Sequence, residues 1–142
     1  MSTVERRDLG SGRILLVNPK GQVEVSRRGR NVVFVQYKGY INMELLTAIH
    51  LNAEEHLREL ETVQLFVDAT SVDGTDPGFR QAWTERFKQF RGRVTGCILI
   101  RSALLKMTIQ FINLFAGKER AVLEPVTDRA EFERRLQAAL QS

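Results

Sequence analysis

Six oxygen-bearing side chains fall within nine residues of this chain: Asp68, Thr70, Ser71, Asp73, Thr75 and Asp76. A carboxylate pair such as Asp68 and Asp73 can divide acid and base work when its pKa values are pushed apart, and it can also hold Mg2+. Neither role is complete here. The sequence carries no G-x-S-x-G elbow, no G-x-x-x-x-G-K-[ST] loop and no G-x-G-x-x-G fingerprint, which removes the best signals for hydrolase, nucleotide-phosphate and dinucleotide chemistry. A phosphoacceptor-aspartate receiver lacks both its acidic pair after the first strands and its lysine after Val94–Ile100. Acidic residues in capping loops are far commoner than catalytic dyads. No catalytic residue is therefore assigned, and an enzyme using these carboxylates stands only as an alternative.

The other reactive side chains read as structural. His50 and His56 are six residues apart on one expected helix, which at about 100° per residue leaves them roughly 120° apart, so no metal site is expected. Cys97 is the single cysteine and lies inside an apolar run, which implies a buried, inert thiol and a reducing compartment. Arg27, Arg28 and Arg30 around Gly29 could meet a phosphate but read as a solvated turn. Arg80, Arg86, Lys88, Arg91 and Arg93 crowd the end of a helix and complement its dipole. No cofactor is expected.

The elements that position the acidic stretch follow from periodicity. Val63–Ala69 is an apolar run suited to a strand covered on both faces, with Asp68 at its carboxyl end, the edge where ligands dock in open α/β sheets. A loop is expected from Thr70 to Asp76, with Asp76 as N-cap and Pro77 as first residue of the next helix. That helix carries Phe79, Trp83, Phe87 and Phe90 at spacings of three and four, a core face rather than a cofactor box or base-stacking platform.

Upstream, Arg13–Val17 and Gln22–Ser26 flank the turn Asn18-Pro19-Lys20-Gly21 and predict a hairpin at one edge of the sheet. Val32–Tyr37 predicts a central strand ended by Gly39, and Asn42 caps a helix from Met43 to Leu60 whose stripe is Leu46, Ile49, Ala53, Leu57 and Leu60. Downstream, Val94–Ile100 reads as a buried strand and Ser102–Phe115 as a helix apolar nearly all round, stopped by Gly117. Such a helix is either covered within the monomer or keeps a face for a partner, a second copy or an apolar ligand. Leu104, Met107, Phe111 and Phe115 mark that candidate face. Ala121–Val126 gives a short strand, and Thr127 with Glu131 is expected to cap a helix over Asp128–Leu140. The pattern predicts an α/β fold: a mixed β-sheet with an N-terminal β-hairpin and about four helices.

On these residues the chain resembles STAS domains, the sulfate transporter and anti-sigma factor antagonist family. VDATSVDGTDPGFRQ is similar to the stretch in which a strand ends in an Asp-x-Ser segment, followed by a valine and an Asp-Ser-Ser-Gly turn opening a helix; Asp68, Thr70, Val72 and Asp76 stand at the matching positions. The later segment from Ala103 to Leu136 is similar to that family's ending. The resemblance implies a regulatory module that docks a protein partner, kinase-like or otherwise regulatory, through Asp68, Thr70, Ser71, Asp73, Thr75, Asp76, Gly78 and Phe79. Family antagonists accept phosphate on a serine at the helix start, where Pro77 and Gly78 stand here. The usual phosphoserine switch is therefore not expected, and Thr75 or Ser71 would have to substitute.

With 142 residues, 43% hydrophobic and 27% charged, the chain is expected to form one globular domain from residue 13 to 142, preceded by a polar, flexible segment over residues 1–12. A net charge of +4 is too modest to call for nucleic acid. The amino terminus has no apolar leader run and the longest apolar segment, Ala103–Phe115, is too short to span a bilayer, so the expected location is cytoplasmic. A homodimer and a small-molecule or lipid carrier remain as alternatives resting on the apolar helix.

Overall fold

The computed structural model describes residues 4–90, 92–101 and 124–141. Seven strands form one sheet in the order of the chain: β1 (Glu5–Gly10), β2 (Arg13–Val17), β3 (Gly21–Arg28), β4 (Val32–Ile41), β5 (Val63–Thr75), β6 (Val94–Leu99) and β7 (Glu124–Val126). Pairing is antiparallel from β1 to β4 and parallel from β4 to β7. Three helices are described: α1 (Met43–Glu59), α2 (Phe79–Lys88) and α3 (Arg129–Leu140). The expected α/β mixed sheet is what forms.

Alternation of side chains across the sheet divides the core in two. Val33, Val35, Val67, Ala69, Val94 and Ile98 point to the face covered by α1 and α2, where they meet Leu45, Leu46, Ile49, Leu57, Trp83 and Phe90. Val32, Phe66, Cys97, Leu99 and Val126 point to the other face and meet Phe132 and Leu136 of α3. Trp83 and Phe90 are thus core residues, as their spacing predicts. Burial pushes the Cys97 thiol up to about 11, so it stays protonated and unreactive at neutral pH.

Several boundaries differ from the sequence reading. Glu5–Gly10, read as part of a flexible lead-in, is a fully exposed strand paired with β2, so the β2–β3 hairpin lies inside the edge. Strand β3 runs on to Arg28, and the turn begins only at Gly29. Strand β4 runs on through Gly39 to Ile41. Gly39 does not end it but adopts φ +80° where a Cβ would lie 2.8 Å from the Lys20 carbonyl oxygen. The terminal helix is capped by Asp128, whose carboxylate accepts from the Ala130 N–H at 3.0 Å, and not by Thr127. The apolar helix assigned to Ser102–Phe115, with Leu104, Met107, Phe111 and Phe115, lies outside the described residues, as does the Gly117 stop.

Gly96 sets the spacing of β5 and β6. It faces Leu65 in register, has φ +153°, and a Cβ there would run into the Leu65 carbonyl. Gly96→Ala is expected to destabilise the fold by about 3 kcal/mol or more, since both overpacking and strained backbone act at one central site. Urea unfolding followed by circular dichroism measures this directly.

Candidate functional site

The acidic stretch is not a loop. Strand β5 continues for seven residues past Asp68, the last position paired with β6, and its second half lies against the extended end of β4. Two register shifts, between Gln36 and Lys38 and between Gly39 and Tyr40, absorb the extra residues of β5. Such irregularities re-aim side chains near functional edges. Ser71, Asp73 and Thr75 are exposed, whereas Thr70, Val72 and Gly74 between them are half-buried. The expected loop rests on the acidic and hydroxyl side chains of Thr70–Asp76 and on Gly39 as the end of the preceding strand. In the fold, the Tyr40 ring covers Gly74, with ring carbons 3.4 and 3.5 Å from where a Cβ would be.

Asp68 is buried, 3% exposed, on the face covered by α3. Its Oδ1 accepts from the Thr70 N–H at 3.0 Å and the Thr70 hydroxyl at 2.6 Å, and Arg129 Nη2 donates to its Oδ2 at 3.3 Å. The same Arg129 nitrogen donates to Thr70 Oγ1 at 3.2 Å. Burial alone would raise the Asp68 pKa, but the Thr70 hydrogen bonds and the Arg129 charge outweigh it and hold the carboxyl below its ordinary range. Asp68 and Asp73 do not form a working pair: one is buried and ion-paired, the other is exposed.

Asp76 is a cap, but of a different helix from the one expected. Its Oδ2 accepts from the Met43 N–H at 2.8 Å and its Oδ1 from the Tyr40 hydroxyl at 2.7 Å, so it satisfies the first turn of α1 from across the sheet. Asn42, the expected cap, accepts from the Leu45 N–H at 2.9 Å and is itself held by Asn18 Nδ2 at 3.1 Å. Lys20 sits over the Tyr40 ring at 5.5 Å. The Tyr40 and Met43 bonds hold the Asp76 carboxyl below its ordinary range, and the bond to Asp76 raises the Tyr40 hydroxyl. Pro77 and Gly78 then form a turn, Gly78 at φ +82°, and α2 starts at Phe79, which is half-buried against the core.

The remaining candidates are placed apart. His50 contacts Glu54 and Gln89 and stacks on Phe90 with ring centroids 5.3 Å apart, while His56 accepts from Arg27. Among the described residues no three histidines, cysteines or acids gather as a metal set. The basic runs are partly consumed by the fold. Arg28 lies over Phe34, Arg86 donates to Thr47, and Arg93 donates to the carbonyls of Leu57, Leu60 and Glu61 at the end of α1. Arg91 lies outside the described residues, as does the side chain of Arg80.

A sheet that is antiparallel at its start and parallel at its end, with a carboxyl-terminal helix closing one face, has the SpoIIAA-like fold. The chain is similar, at 14% identity and TM-score 0.60, to an uncharacterised protein of the DUF3478 family with a SpoIIAA-like fold from Shewanella loihica PV-4, over 83% of this chain and 95% of that one. It is also similar, at 12% identity and TM-score 0.52, to the anti-sigma factor antagonist SpoIIAA in its unphosphorylated form, over 82% of this chain and 96% of that one. At these identities the likeness is one of fold. No family model matches the sequence, and no curated protein matches it. Among the described residues no helix is long and apolar enough to cross a membrane.

Replacing Asp76 by Ala is expected to lower the urea midpoint and loosen the first turn of α1, whereas Tyr40→Phe, which leaves the Met43 bond in place, costs less. Amide exchange at Met43–Leu46 distinguishes the two. Arg129→Met leaves a buried carboxylate with Thr70 as its partner among the described residues and should cost about 1–2 kcal/mol, the exposed arginine being partly screened. Because the Asp68 pKa is depressed on folding, its contribution is present above the ordinary carboxylate value, about 4, and disappears as pH falls through the folded value. Acid titration of Asp68→Asn should show a shallower loss of stability in that range than the parent protein.

Proposed function

We propose that this protein is a non-enzymatic regulatory module of the cytoplasm that binds a protein partner through the extended end of β5. The observation that carries this reading is the row of exposed Ser71, Asp73 and Thr75 on a strand that outruns β6. That row stands at the carboxyl edge of the parallel strands, where α/β sheets present their sites. The other two acids of the stretch are engaged inside the molecule, Asp68 with Thr70 and Arg129, Asp76 with Tyr40 and Met43. A carboxylate held this way, ionised and fully bonded, is a poor proton acceptor, which supports binding rather than catalysis.

The fold of an anti-sigma factor antagonist supports a protein partner, kinase-like or otherwise regulatory, as the occupant of this edge. The turn that would carry a phosphoserine by the family resemblance holds Pro77 and Gly78, so the module works without that switch. Ser71 and Thr75 are the exposed hydroxyls left in the row. Gly78 and Phe79 flank it and set the direction in which α2 leaves.

Affinity capture from extracts of the native cell should recover a partner in stoichiometric amount. Asp73→Arg is expected to abolish recovery while leaving the unfolding midpoint unchanged. Unaltered recovery with Asp73→Arg rules out this edge as the docking surface. Intact-mass measurement of protein purified from the same cells should show no phosphate adduct, and an adduct mapping to Ser71 or Thr75 would overturn the switchless reading.

A further inference from the structure

The carboxyl half of α1 is joined to the antiparallel strands by side chains that no part of the β5 site uses. Arg6 of β1 pairs with Glu55 at 2.9 Å, and Arg27 of β3 pairs with Glu59 at 2.7 Å. Arg27 also directs a second edge of its guanidinium at His56, with Nε 3.2 Å and Nη2 3.0 Å from Nδ1.

A guanidinium has only donors, so Nδ1 must be the unprotonated nitrogen and the neutral ring carries its hydrogen on Nε2. That Nε2 atom is buried and has no hydrogen-bond partner among the described residues. The ring is therefore held from one side alone. Adding a proton to Nδ1 turns both Arg27 contacts from hydrogen bonds into a clash of donors and sets one cation against another.

We propose that His56 is a pH-operated latch between α1 and the β1–β3 strands: the neutral imidazole grips Arg27, and protonation releases it. The charged groups facing the ring are Arg27 from β3, Arg6 from β1, and Glu55 and Glu59 from α1 itself. Each glutamate is already paired with one of the two arginines, which limits what it can offer an imidazolium. Burial first, and then the Arg27 charge, lower the His56 pKa. A histidine depressed on folding contributes fully above its ordinary value, about 6.5, and loses that contribution as pH falls toward the folded value. The latch is closed at neutral pH and opens on mild acidification, leaving Arg27 with Glu59 alone.

Nuclear magnetic resonance of the full chain tests this, because the protein has only two histidines. His56 should be the Nε2–H tautomer at neutral pH and titrate below the ordinary histidine range. The Arg27 Nε–H signal and the amides of Arg6, Arg27 and Glu59 should shift with the same midpoint. In His56→Gln, whose amide oxygen can replace Nδ1 as acceptor, those shifts should be lost. An ordinary His56 midpoint, hairpin signals that follow some other midpoint, or shifts that persist in His56→Gln would each overturn the latch. Should that variant not fold, Arg27→Gln supplies a second handle: removing the guanidinium must raise the His56 midpoint, and an unchanged midpoint also overturns the proposal.

Discussion

The parallel pairing of β4 with β5 beyond the point where β6 stops is the constraint on which the candidate site depends. Six residues of β5 run beside β6, and among the described residues the strand then continues against β4 alone as far as Thr75. A strand end that has outrun one of its neighbours needs other support. Here it comes from the Tyr40 ring over Gly74, from Arg101, which donates to the Val72 carbonyl at 3.1 Å, and from Asp76 just past the last position. Asp76 then ties the strand end to the first turn of α1, so the position of the exposed row and the capping of the helix share one carboxylate.

That arrangement sorts the acids by what they touch. Asp68 and Asp76 are both held ionised by hydrogen bonds, Asp68 joining β5 with α3 and Asp76 joining the end of β5 with β4 and α1. Asp73 is exposed, with a hydroxyl residue two positions away on either side. Charge that is internally balanced stabilises a fold, and charge left at an edge gives direction to an approaching partner. The division between paired and exposed carboxylates is made by pairing geometry, since all the acids of the stretch are aspartates.

Much of the architecture was legible in the sequence. The strand at Val63–Ala69, the helix expected over Met43–Leu60 and found over Met43–Glu59 with its Asn42 cap, the core role of Trp83 and Phe90, the buried Cys97 and the hairpin around Asn18–Gly21 all follow from local patterns. The STAS-like resemblance, carried by Asp68, Thr70, Val72 and Asp76, agrees with the fold. What escaped were contacts between distant residues. Arg129 reaches Asp68 across 61 positions, and Asp76 reaches Met43 across 33. No spacing rule connects them, and each was read by its local role, as a helix residue or as a cap for the next helix.

The sequence by itself determined most of the strands and helices, which faces are apolar and which motif classes are absent, because periods of two and of 3.6 residues are set by the backbone alone. It also placed the acidic stretch at the carboxyl end of a buried strand. Only the tertiary structure decided that this stretch is itself strand, that Asp76 caps α1, and that Asp68 belongs to Arg129. The physical reason is that glycines at 39 and 74, breakers in isolation, become tolerable once a neighbouring strand supplies hydrogen bonds and Tyr40 supplies a ring. Long-range pairing can override local propensity wherever it satisfies backbone groups that a loop would have left to water.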